Sequence, residues 1–246
     1  MKVSDLAVRC LEAEAVRYIF GVPGEEPDDL LFSLEGSRIE FVPCRHDQGA
    51  AFIADVWGRL TGRAGVCLST LGPGATNRVT AVADANLDKA PLVAITAQGS
   101  LDRLHHESHQ RIEIVQMFAS ITKWNSAIYA PAVLPEIIRK AFKLAEMEKP
   151  GATHIELPED VAGLDLPADV STAAATQRAA AATAGNGATR AHPARRGAGH
   201  SSRLDVHWKR RDLGSLGAIV ALDWHWLPGL CPGSCRSCRS GNDGRL

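Results

Sequence analysis

Six short apolar runs, each cut off by a turn signal, alternate along this chain with stretches of helical pattern. The runs are Tyr18 to Gly21, Glu40 to Cys44, Ala64 to Thr70, Pro91 to Thr96, Ile121 to Trp124 and Gly151 to Leu157. Between them, residues 4–18, 27–34, 46–61, 75–85 and 131–146 carry helical periodicity, and 112–118 a helical turn. Ser4 is the expected N-cap of the first helix, whose Leu6, Cys10, Leu11 and Ala15 fall close to one face. Strands that alternate with helices imply an α/β fold, a doubly wound parallel sheet flanked by helices. Ligands in such sheets bind beyond the carboxyl ends of the strands. The chemistry is therefore sought in the loops 21–25, 44–48, 70–77 and 97–110.

The pattern dissolves after about residue 172, and the charge changes sign there. Through Thr172 the chain has 16 Lys and Arg against 24 Asp and Glu, and beyond it 11 against 4. Ten of those eleven basic residues are Arg, and the segment has no Glu. Residues 1–170 are thus expected to form one domain and 171–246 a low-complexity basic tail, largely disordered. So abrupt a change of composition suggests a frameshifted tail. Cys231, Cys235 and Cys238 have the spacing of an iron–sulfur motif, but no barrel follows, and a chance cluster is the preferred reading. Cys10, Cys44 and Cys67 read as buried, inert thiols. With no apolar stretch long enough to span a bilayer and no signal peptide, a cytoplasmic location is expected, with no membrane and no nucleic-acid partner.

Several loop segments carry chemistry. Pro23-Gly24 closes a strand with a tight turn that lets backbone come close to a neighbour, although an ordinary strand-to-helix turn looks the same. Gly72-Pro73-Gly74 opens a helix and exposes backbone N–H groups, but the lysine and hydroxyl pair of a phosphate loop are missing. Asp47 lies at a helix start, where the helix dipole alone favours a carboxylate. His105, His106 and His109 lie in a polar loop without metal-ligand spacing, and no metal site is expected there.

Together, and in this order, these segments resemble thiamine-diphosphate enzymes, acetolactate synthase large subunits most closely. The resemblance is carried by Phe20-Gly21-Val22-Pro23-Gly24, Arg45-His46-Asp47-Gln48-Gly49-Ala50, Leu71-Gly72-Pro73-Gly74-Ala75-Thr76-Asn77, Pro91 to Thr96, Ile121 to Asn125 and Gly151 to Pro158. It runs from Lys2 to about Leu166 and implies a domain that binds the pyrimidine side of thiamine diphosphate. It further implies cofactor contacts at Pro23, Gly24, Asp47, Thr70, Pro73, Asn77 and Gln110. Gln110 has His109 and Arg111 as neighbours, where the family usually has Phe-Gln-Glu.

Asp47 falls where the family has an activating glutamate, which bonds the cofactor's pyrimidine ring nitrogen. Aspartate is one methylene shorter, so its carboxylate falls about 1–1.5 Å short, one C–C step. A misplacement of about 1 Å costs on the order of a hundredfold in rate. The resemblance implies that the family's Mg²⁺, diphosphate and flavin sites belong to two further domains, which are not expected within these residues. The resemblance thus implies half of a site for carboligation of 2-keto acids such as pyruvate, inactive alone, with the remainder supplied by a partner subunit or in a homo-oligomer. The alternatives are a half-enzyme of another thiamine-diphosphate decarboxylase or carboligase, and a non-catalytic dimerisation module.

Overall fold

The computed structural model describes residues 1–166. Six parallel strands form one sheet: β1 (Tyr18–Gly21), β2 (Glu40–Pro43), β3 (Gly65–Ser69), β4 (Leu92–Gln98), β5 (Trp124–Ala127) and β6 (Ala152–Pro158), in the order β2-β1-β3-β4-β6-β5. The helices are α1 (Val3–Ala13), α2 (Asp28–Glu35), α3 (Asp47–Thr61), α4 (Gly72–Asn77), α5 (Val79–Leu87), α6 (Ile114–Phe118), α7 (Leu134–Glu146) and α8 (Glu159–Gly163). The doubly wound parallel sheet expected from the alternation is therefore present.

Strand side chains alternate between two cores, as the two-residue period requires. Ile19, Val66, Leu68, Val93, Ile95, Ile155 and Leu157 face α1, α2, α7 and α8. Phe20, Cys67, Leu92, Ala94 and Ala152 face α3, α4, α5 and α6. The two layers differ in kind. The first is built of branched residues. The second is rich in alanine, with Ala50, Ala51, Ala54, Ala75, Ala81 and Ala85 all buried. Small side chains let α3 lie directly on the sheet. A Cβ at Gly65 would strike the carbonyl oxygen of Ala54, and one at Gly58 that of Pro91.

Several local expectations change. Ser4 is not the N-cap of α1. Lys2 occupies that position, and its amide donates to Asp5 Oδ2 at 2.9 Å. Ser4 is fully buried instead, and its Oγ accepts from Ser33 Oγ of α2 at 2.9 Å. Helix α1 stops at Ala13 rather than 18, since the chain turns at Ala15 with a left-handed φ of 57°. The fifth strand lies at 124–127, not 121–124. Ile121 packs into the alanine-rich core, and Trp124 is the first residue to pair with β6, opposite Thr153. The helix expected at 75–85 starts at Gly72 and is interrupted at Arg78, giving α4 and α5. Past Pro158 the chain forms α8.

The first and last described residues meet. Val3 N donates to Leu164 O at 2.9 Å and Leu166 N to Met1 O at 3.0 Å, with Lys2 and Asp165 in an antiparallel bridge. Among the described residues no helix is long and apolar enough to cross a membrane. The basic tail, its cysteine cluster and the 171–246 boundary lie outside the described residues.

Candidate functional site

From β1 the chain passes to β2 on one side, then returns to β3 on the other side of β1. The winding reverses there, and a crevice opens beyond the carboxyl ends of β1 and β3. Three predicted loops converge on it. The loop after β1 carries Pro23 and Gly24, the loop after β2 leads to Asp47, and the loop after β3 carries Thr70 to Asn77.

The approach is close. A Cβ at Gly24 would lie 2.8 Å from Thr70 Cβ, so the Gly24 backbone lies against the Thr70 side chain. A Cβ at Gly74 would lie 2.7 Å from Thr70 Cγ2 and 3.8 Å from Asp47 Oδ2. Gly72 has a φ of 51° and packs beneath the backbone of Gln110, so a side chain there would be strained and blocked at once. Thr70 Oγ1 donates to Glu26, which ties the β1 loop to the β3 loop. Gly24, Asp47, Thr70 and Gln110 are thereby brought to one place. Pro73 and Asn77 lie exposed on α4, and Pro23 is exposed in the β1 loop.

Asp47 is the first residue of α3 and is 8% exposed. His46 caps that helix, its Nδ1 accepting from Gln48 N at 3.2 Å. Asp47 Oδ1 accepts from Arg78 Nη2 at 3.5 Å. Among the described residues no protein group bonds Oδ2, the oxygen nearer Gly74.

Arg78 is the residue that the sequence reading passed over. It sits at the break between α4 and α5 with 0% exposure. Its Nη1 donates to Ile95 O of β4 at 3.2 Å, and its Nε has no partner. Burial pushes the guanidinium down from its ordinary value, while neighbouring Cys67 and Asp47 oppose that shift. Arginine starts so high that it keeps its charge at neutral pH. The signal was faint, since Arg78 is the one basic residue in the run Ala75 to Ala85, which also carries Asn77 and Asp84.

A second polar row runs along the same sheet face. Thr96 Oγ1 and His154 Nε2 are 2.9 Å apart, and the imidazole stacks on Phe118 at 4.3 Å. Burial, and then the charge of Arg78, push His154 down to about 3. Gln98 Nε2 donates to Glu156 Oε2 at 3.2 Å and to Ile112 O at 3.0 Å, which ties down the end of the 99–113 loop. Burial pushes Glu156 up to about 7 against the bond from Gln98. Cys10 and Cys67 are buried and Cys44 is half-buried; burial raises all three thiols, Cys10 to about 12. His105 and His106 stack on each other at 3.9 Å. Among the described residues no group of three or more His, Cys, Asp or Glu is placed to hold a metal ion.

The family described as thiamine pyrophosphate enzyme, N-terminal TPP binding domain, matches residues 1–117. A probable acetolactate synthase large subunit of Methanocaldococcus jannaschii is 42% identical over 161 residues, 65% of this chain and 27% of the relative. The catabolic acetolactate synthase of Raoultella terrigena is 40% identical over 187 residues, 75% of this chain and 33% of the relative. The acetolactate synthase isozyme 2 large subunit of Escherichia coli is 36% identical over 161 residues, 65% of this chain and 29% of the relative. The chain thus spans about a quarter to a third of the length of the curated relatives it matches.

Proposed function

We propose that this chain, whose described residues form a thiamine pyrophosphate enzyme N-terminal domain of the acetolactate synthase type, holds the pyrimidine side of thiamine diphosphate at the β1/β3 crevice and supplies half of a carboligase site. The observation that carries this reading is the Asp47 carboxylate: buried, bonded through Oδ1 only, with Oδ2 turned to the crevice beside a glycine. The donor set fits an aminopyrimidine. A carboxylate oxygen without a protein partner suits a protonated ring nitrogen, and side chains absent at Gly24 and Gly74 suit a flat ring lying against backbone.

Asp47 is the residue proposed to act on the cofactor, its Oδ2 accepting a hydrogen bond from the ring nitrogen. Pro23, Gly24, Thr70, Pro73, Asn77 and Gln110 would line the pocket around it. Glu26, bonded to Thr70, holds the two glycine-bearing loops in register. Thiamine diphosphate supplies, when bound, the carbon nucleophile that a 2-keto acid requires. The protein's part is to place the ring, exclude water and offer Asp47 Oδ2 as the acceptor for the ring nitrogen. Diphosphate and Mg²⁺ would be held by a partner subunit, and pyruvate is the 2-keto acid of first choice.

The test uses free thiamine, which has the pyrimidine but no diphosphate. Titration of the full chain should show saturable binding, and Asp47→Ala should weaken it about tenfold or more, the loss of a hydrogen bond to a charged group. Asp47→Glu should strengthen it by restoring the missing methylene. The reading fails if thiamine and thiamine diphosphate both leave the chain's spectrum unchanged at millimolar concentration.

A further inference from the structure

We infer that Arg78 is a positioning residue for Asp47: its guanidinium pins Oδ1 and so aims Oδ2 at the crevice. This rests on the pyrimidine-site reading and assigns the site a residue that the sequence motifs do not include. Three observations carry it. Arg78 is fully buried, and its side chain bridges the sheet and the site, with one nitrogen on Ile95 O at 3.2 Å and another on Asp47 Oδ1 at 3.5 Å. It is the sole side chain among the described residues that bonds Asp47. Its Nε is left without a partner, so the arrangement does not satisfy the guanidinium fully.

A buried cation is costly to desolvate, and an apolar residue of similar volume often serves a core as well or better. Burial for packing alone would not call for a guanidinium here. What a guanidinium adds is directional hydrogen bonding at a fixed distance from its anchor on β4. That anchor matters for a short carboxylate at the first residue of a helix. With Oδ1 held from the sheet side, rotation about the Cβ–Cγ bond is restricted and Oδ2 keeps its place near Gly74. Arg78 also sets a positive charge beside the Asp47 carboxylate in this buried setting.

The experiment is a double-mutant cycle on the full chain with Asp47→Asn, Arg78→Met and their combination. It has two readouts, thermal melting and titration with free thiamine. Arg78→Met is expected to weaken thiamine about tenfold when Asp47 is present, and by less than about twofold alongside Asp47→Asn. The melting shifts should be non-additive, which reports the ion pair without any ligand. Equal loss of thiamine affinity in both backgrounds makes Arg78 a scaffold residue only and overturns the inference. Additive melting shifts deny the pair itself and overturn it too. Non-additive melting with no thiamine binding in the wild-type chain sinks the pyrimidine reading while the ion pair stands, so the two failures are separable. If Arg78→Met does not fold, Arg78→Lys takes its place: an ammonium cannot span both anchors, and a wild-type thiamine affinity in that variant would overturn the inference.

Discussion

Gly49 and Gly58 both lie in α3, and the same substitution to alanine should move stability in opposite directions. Alanine relieves the entropic cost of glycine in a helix by about 0.5–1 kcal/mol at either position. At Gly49 nothing lies within 4 Å of the new Cβ, so that gain stands alone. At Gly58 the new Cβ would run into the carbonyl oxygen of Pro91 and lie 3.3 Å from the Pro91 ring. Backbone cannot swing away as a flexible side chain can. Helix α3 must back off the sheet by about 1 Å, and overpacking of this kind costs about 1–3 kcal/mol, occasionally more.

The net expectation for Gly58→Ala is a loss of about 1–2 kcal/mol. For a domain of this size that lowers Tm by about 2–8 °C, and Gly49→Ala raises it by about 1–4 °C. Differential scanning calorimetry or circular dichroism melting of the two variants beside wild type decides the matter. Two shifts of the same sign would refute the claim that α3 rests on the sheet through its glycines. A retreating α3 also carries Asp47 with it, so Gly58→Ala should weaken thiamine binding and Gly49→Ala should spare it.

Three further outcomes are expected. Arg59 binds Asp55 at 2.9 Å, Asp84 at 2.9 Å and Asp88 at 2.7 Å, and Asp55 is 2% exposed, so Arg59→Met strands a buried carboxylate and should cost about 2–4 kcal/mol in a denaturant titration. Glu156 is raised to about 7 in the fold, so its contribution is present below its unfolded value near 4.5 and lost as pH rises toward 7; Glu156→Gln should flatten that falling limb in a series of melts across pH. His154 is lowered to about 3, so the neutral ring is favoured and stability falls as pH drops from about 6.5 toward 3; His154→Gln should remove that opposite limb, and an unchanged pH profile in both variants would contradict the burial of the pair.

How much of this could be read from the residues depends on the scale of the interaction. The alternation of apolar runs with helical stretches fixed the sheet, because strand and helix periods differ and a parallel sheet buries both of its faces. The loops at strand ends followed from that topology. Boundaries were less legible where tertiary contacts decided them. Ser4 has the chemistry of a cap, yet its hydroxyl meets Ser33 on another helix. Ile121 has the character of a strand residue, yet the alanine-rich core took it and the strand began at Trp124. Arg78 was hidden for a similar reason. On a helix a basic residue is ordinarily solvated, and only the fold shows that its neighbours are Asp47 and a β4 carbonyl.

The clasp between Met1 and Leu166 brings the first and last described residues to one point. That meeting point lies beside α1 and α8. Those helices cover the branched-core face of the sheet, whereas Asp47 starts α3 and Arg78 joins α4 to α5 on the alanine-rich face. The clasp therefore sits on the face of the sheet opposite the helix that carries Asp47.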